Sequence, residues 1–109
     1  MKRQKNRLIL TLALLLAAVP TLAEELLHVS IKDHKFVPDR LDAPAGIKFK
    51  LLITNQDDTA AEFESFALNR EKVVPAGLEV PVFLGPLDHG EYAFFDDFHQ
   101  DTKGLLIVK

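Results

Sequence analysis

From Leu27 onward, apolar and polar residues alternate in short runs that are cut repeatedly by Gly, Pro, Asn and Asp. Period two is the spacing of a strand with one face in a core and the other in water, and an amphipathic helix does not produce it. Leu27, Val29 and Ile31 alternate with His28, Ser30 and Lys32, and Ile47, Phe49, Leu51 and Ile53 repeat the pattern later. A one-residue slip would carry either set to the wrong side, so each defines a core-facing side. Between them Pro38 and Pro44 interrupt ladder hydrogen bonding and Gly46 suits a turn, which predicts an edge segment followed by a tight turn.

Asn55 to Thr59 is a polar loop. Glu62 to Leu68 reads as a strand, with Glu62, Glu64, Phe66 and Leu68 on one side and Phe63, Ser65 and Ala67 on the other. Lys72 to Val74, Val80 to Leu84, Tyr92 to Phe95 and Leu105 to Lys109 follow, divided by Pro75-Ala76-Gly77, Gly85-Pro86 and His89-Gly90. About seven or eight strands are expected, the number of a Greek-key sandwich. The expected fold class is all-β, a single β-sandwich without internal repeat or linker.

Residues 1–23 break the pattern. Lys2, Arg3, Lys5 and Arg7 precede the apolar run Leu8 to Val19, and Pro20-Thr21-Leu22-Ala23 offers small residues for cleavage. That is the layout of a secretory signal peptide, whose apolar stretch is helical but short of the roughly 20 residues of a membrane span. The expectation is a signal peptide over residues 1–23 and one domain over residues 24–109, periplasmic in a bacterium and not membrane-embedded when mature. The chain has no Cys, which excludes disulfides and an acylated mature N-terminus.

The signal holds four of the 13 basic residues and none of the 16 acids, so the mature chain keeps nine bases against 16 acids, formally −7. Such a surface repels phosphates and disfavours nucleic acid and anionic membranes, leaving cations and basic protein faces as partners. No Gly-rich phosphate loop is present, and neither Ser30 nor Ser65 has a His and an acid placed to activate it.

The last third of the chain carries the chemistry. Glu91-Tyr92-Ala93-Phe94-Phe95 delivers Asp96, Asp97 and His99 into one short loop ahead of the final strand, with Asp101 just beyond. Two carboxylates and an imidazole at a strand end are the donor types of a metal site, although Asp is also a common turn residue, an explanation that fits Asp97 and Asp101 well. Glu62 and Glu64 share one side of their strand about 7 Å apart, near enough to flank one cation or to be simply a solvated face. His28, His34 and His89 are expected to be ordinary surface residues, with His89 at the far end of the sandwich from the loop.

The ordered set Phe36-x-Pro38, Ala43-Pro44-Ala45-Gly46, Asn55, Gly90-x-Tyr92-x-Phe94-Phe95, His99 and Gly104-Leu105-x-Ile107-Val108 resembles the cupredoxin fold. In copper-binding members two His, a Cys and often a Met hold the metal. By that resemblance His99 takes the second His position, Asp96 that of the Cys, Glu62 or a neighbour that of the first His, and Asp101 and Thr102 the Met region. A blue-copper centre needs a thiolate and two imidazoles, so it is excluded here. Carboxylates with one imidazole favour iron or copper(II) instead.

More closely, Ala61-Glu62-Phe63-Glu64-Ser65 with Tyr92 to His99 is similar to the cupredoxin-like proteins and domains of bacterial high-affinity iron-uptake systems. That resemblance implies a periplasmic metal-binding protein that supports ferrous-iron uptake, with an iron permease or other periplasmic uptake components as partners. The expected ligands are Glu62, Asp96 and His99, with Glu64, Asp97 and Asp101 auxiliary. Ferroxidase-like activity is left open and not favoured, because a single mononuclear site gives electrons no evident exit. The competing reading is a metal-free module that docks onto a membrane transport complex.

Overall fold

The structure, a computed structural model, describes residues 25–109. The signal peptide expected over residues 1–23 lies outside the described residues. Nine strands follow in order: β1 (Glu25–Lys32), β2 (Lys35–Val37), β3 (Arg40–Ala43), β4 (Phe49–Asn55), β5 (Ala61–Ser65), β6 (Arg70–Val74), β7 (Glu79–Leu84), β8 (Gly90–Asp96) and β9 (His99–Val108). No helix occurs among the described residues.

One sheet has the order β2-β1-β4-β7 and the other β3-β9-β8-β5-β6, which is the expected all-β sandwich. β1 pairs parallel with β4, and β3 with β9, so the chain's first and last strands each lie inside a sheet rather than at its edge. The proline-bearing segment supplies two edge strands, β2 in one sheet and β3 in the other, with Pro38 in the crossing between them. An edge is where a residue without an N–H costs no ladder bond.

Alternation sorts the core as expected. Val29 and Ile31 of β1, Phe49, Leu51 and Ile53 of β4, Phe63 of β5, Phe94 of β8 and Leu106 of β9 are buried between the sheets. Each such side chain contributes roughly 1.5–3 kcal/mol through removal from water. Phe94 is central: its ring meets Phe36 edge-on at 4.8 Å and Phe63 at 5.2 Å between centroids. Gly104 lies against that ring so closely that a Cβ there would fall 2.3 Å from it.

Two details differ from expectation. Ile47 is exposed because β4 begins only at Phe49, and the turn before it turns the side chain to solvent. Leu68 does not continue the Glu62–Glu64–Phe66 side, because β5 stops at Ser65. Ser65 Oγ accepts a hydrogen bond from the Leu68 N–H at 3.0 Å and donates to the Ala93 carbonyl at 2.7 Å. Asn69 then adopts φ 53°, a conformation Asn tolerates, and Leu68 returns to the core. The resulting hairpin sets Glu71 of β6 directly opposite Glu64.

Candidate functional site

β8 and β9 form a hairpin in which Asp96 pairs with His99 across the turn Asp97-Phe98, with a break in register between Phe95 and Asp96. Asp96 is also paired with Phe63 of β5, so its carboxylate shares the core-facing side and is buried. A buried carboxylate must be saturated with donors, and this one is. Its Oδ1 accepts from the Glu62 N–H at 2.9 Å and the Phe98 N–H at 3.0 Å, while Oδ2 lies 3.0 Å from His99 Nδ1. A carboxylate accepts, so His99 Nδ1 is the donor in the last contact and Nε2 is the ring nitrogen left for another partner.

The expected meeting of Glu62, Asp96 and His99 does not occur through their side chains. Glu62 reaches Asp96 by its backbone N–H, and its own carboxylate lies on the opposite face of the sheet, because residues 62 and 63 alternate and it is Phe63 that faces inward. The inward residue nearest the place expected for a first His is Ala61, buried and without a ligand atom. Asp101 is exposed at the rim, and Thr102 is buried with its hydroxyl donating to the His34 carbonyl. A thiolate copper centre does not fit this arrangement: the chain has no Cys, and Asp96 spends its oxygens on hydrogen bonds.

His34, set aside by the sequence reading, stands beside His99. The two imidazole centroids are 4.1 Å apart with planes tilted 31°. His34 lies in the tight turn between β1 and β2, where both Asp33 and His34 have positive φ, 51° and 56°. The Asp57 carboxylate holds that turn, accepting from the Asp33 N–H at 2.7 Å and the His34 N–H at 3.0 Å. Those bonds, led by the one from His34 and helped by smaller electrostatic contributions from the His34 and His99 side chains, lower the Asp57 pKa below its ordinary value of 3.8 against an opposing desolvation. His34 and His99 line one cleft of about 610 Å³ together with Phe36, Asp39, Asp101 and Thr102.

On the outer face of the same sheet, β5 and β6 gather Glu62, Glu64 and Glu71, each offering a carboxylate oxygen within 4.8 Å of the others. It is the one group of three or more potential ligands of this kind among the described residues. Partial desolvation raises the Glu62 pKa above 4.5, aided by a hydrogen bond to Glu71 and by repulsion from Glu71, Asp97 and Glu64. Glu64 is raised by desolvation, Glu71 and Asp97. Asp97 thus contributes field to this face. Its N–H donates to the Glu62 carbonyl at 2.9 Å, and its Oδ1 accepts from Gln100 Nε2 at 3.1 Å.

The residues singled out from sequence therefore divide between two places. Glu62, Glu64 and Asp97 belong to the outer face with Glu71, and Asp96, His99 and Asp101 belong to the inner hairpin end with His34. Oxygen donors alone suit hard cations such as iron(III) or manganese(II), whereas imidazole suits copper, zinc and iron.

A family model described as a cupredoxin-like domain matches residues 7–108. An uncharacterized protein of Rickettsia prowazekii (strain Madrid E) is 49% identical over 81 residues, which is 73% of this chain and 65% of that protein, so the chain spans about 65% of that relative's length. Amicyanin from Paracoccus versutus superposes with a TM-score of 0.63 at 18% identity, covering 85% of this chain and 87% of amicyanin. The metal binding domain of the Cu(I) exporting P-type ATPase CopA of Streptococcus pneumoniae D39, solved with Cu(I), superposes with a TM-score of 0.67 at 13% identity, covering 77% of this chain and 84% of that domain. At such identities the two structures speak to fold. Together with the two-sheet sandwich and the family match over nearly its whole length, they establish that this chain belongs to the cupredoxin-like domain family.

Proposed function

We propose that this protein is an exported, periplasmic metal-binding protein that supports iron uptake, gathering the cation on the carboxylates of Glu62, Glu64 and Glu71 and passing it toward a membrane permease. The observation that carries this reading is the convergence of those three carboxylates within 4.8 Å on one face of the sheet. The pKa values of Glu62 and Glu64 are raised, first by desolvation and then by the further carboxylates beside them, so the face works against its own charge. A cation relieves that repulsion, and a trivalent one relieves it more than a divalent one. The face is open to solvent, which suits exchange with a partner better than permanent retention. A basic surface on the receiving component would complement the excess of acids over bases in the mature chain.

Titration of the metal-free protein with iron(III), as a soluble chelate, and with manganese(II) tests the reading. Saturable micromolar binding that is lost in Glu62→Gln and Glu71→Gln supports it, and no saturable binding removes it. One observation favours a docking role in that event. Phe66 is 80% exposed and its ring lies 5.5 Å from Phe95, on the same face as Glu64.

A further inference from the structure

We infer that His34 and His99 form a second metal site, for a borderline divalent cation of the copper(II) and zinc(II) class, which would be held through the two Nε2 atoms. The inference goes beyond the carboxylate reading and does not depend on it, since the donors differ and lie at the other side of the sheet.

The first support is the pairing itself. Residues 65 positions apart in sequence bring two imidazoles to a centroid separation of 4.1 Å beside a cleft open to solvent. The second is the way each ring is anchored. A metal-ligating imidazole characteristically turns its other nitrogen to a carboxylate, which fixes the tautomer and raises ligand basicity. His99 Nδ1 lies 3.0 Å from Asp96 Oδ2, a carboxylate 1% exposed, and His34 Nδ1 lies 3.7 Å from Asp57 Oδ2. The first contact is a hydrogen bond; the second, at 3.7 Å, is an electrostatic approach.

The third support is preorganisation of the backbone under His34. Its N–H is held by Asp57 and its carbonyl receives the Thr102 hydroxyl, and Asp57 is itself fixed by Asn55 Oδ1, which accepts the Asp57 N–H at 3.0 Å. Asn55 is buried, and its Nδ2 donates to the Thr59 and Val74 carbonyls at 2.8 and 3.0 Å. The chain of bonds thus runs from the core through the loop to the backbone of His34. With the ring planes tilted by 31° and the centroids 4.1 Å apart, bringing both Nε2 atoms onto one ion requires the His34 ring to turn. With 51% of its side chain exposed, His34 has room to do so.

Two nitrogens without a sulfur or a third close ligand leave the remaining positions to water, a donor set for which copper(II) outcompetes the other first-row divalent ions. Asp39 and Asp101 in the cleft add attraction, offset in part by Lys35 and Lys103.

The test is a titration of the metal-free protein with copper(II) and, separately, zinc(II), followed by calorimetry. For copper, electron paramagnetic resonance counts the coordinated nitrogens. One equivalent with a two-nitrogen signature is expected. His34→Ala and His34→Gln should each weaken binding at least about tenfold and reduce the count to one nitrogen, and Asp57→Asn should weaken it about tenfold while keeping two. His89→Ala should change nothing. A copper affinity and nitrogen count untouched in both His34 variants would overturn the inference. So would copper binding that disappears in Glu71→Gln and persists in His34→Ala, an outcome that leaves the carboxylate reading standing.

Discussion

Glu62 and Asp96 are joined by a single hydrogen bond, yet they belong to regions built on opposite principles. On the outer face of β5 and β6, Glu62, Glu64 and Glu71 are brought together by strand alternation and hairpin register alone, and solvent tolerates their mutual repulsion. At the inner hairpin end Asp96 is buried, and every oxygen it offers is committed to the backbone of two segments or to His99. A carboxylate on the outer face is free to bind something; a carboxylate at the inner end organises what binds. The same residue type is therefore a ligand candidate in one place and a positioning group in the other.

The largest effect that sharpens this contrast is on folding. Asp96→Ala would leave the Glu62 and Phe98 N–H groups without their acceptor, and an unsatisfied buried donor costs about 1–3 kcal/mol, so a loss of about 3 kcal/mol in urea unfolding is expected. Glu62→Gln should barely move the midpoint, because its side chain takes no part in holding the sheets together. Equal effects of the two substitutions would erase the distinction between the regions.

Much of this architecture is legible in sequence because alternation is a local signal. The core sides of β1 and β4 and the edge placement of the proline segment follow from period two and turn chemistry. Glu71 escapes a sequence reading that runs the strand from Glu62 through to Leu68, because β5 stops at Ser65. Asn69 was the available signal: as the residue of a hairpin turn with positive φ it sets Glu71 against Glu64. His34 had no such signal. Its place beside His99 depends on a turn whose conformation is fixed by Asp57, 23 residues away, and nothing local in the sequence announces that bond. Glu62 stands on the outer face by one step of parity, since the inward residue is Ala61, and the resemblance alone does not resolve which of the two faces in.

An intermediate effect is expected where the inner region meets solvent. Asp57→Ala removes the acceptor of two N–H groups in a turn with positive φ, and with water able to replace part of the loss the cost should be about 1–2 kcal/mol. The Asp57 pKa is depressed in the folded state, so its contribution is present above the ordinary value of 3.8 and lost as pH falls through the lower folded value. Stability of the parent protein should thus fall more steeply than that of Asp57→Ala below pH 3.8, which parallel urea series across acid pH would reveal. Parallel slopes would mean that the turn is held by something other than this carboxylate.

The smallest effect lies on the outer face and has the opposite sign. Glu62 and Glu64 have raised pKa values, so what they contribute to stability is present below 4.5 and lost as pH rises through their folded values, when the carboxylates repel one another. Glu71→Gln removes a source of that repulsion for both, and a small increase in the unfolding midpoint at neutral pH is expected, vanishing below pH 4.5. The same substitution should weaken binding of a hard cation, so stability and affinity move in opposite directions. That opposition is characteristic of charge gathered for a ligand: the protein without metal improves when the cluster is diluted, and the metal complex deteriorates. In the parent, cation binding should also weaken on acidification at a higher pH than ordinary carboxylates would require, because protons compete for oxygens already inclined to hold them. If Glu71→Gln lowers the midpoint at neutral pH instead, the three carboxylates are not in conflict, and the outer face loses the strain that makes it a cation site.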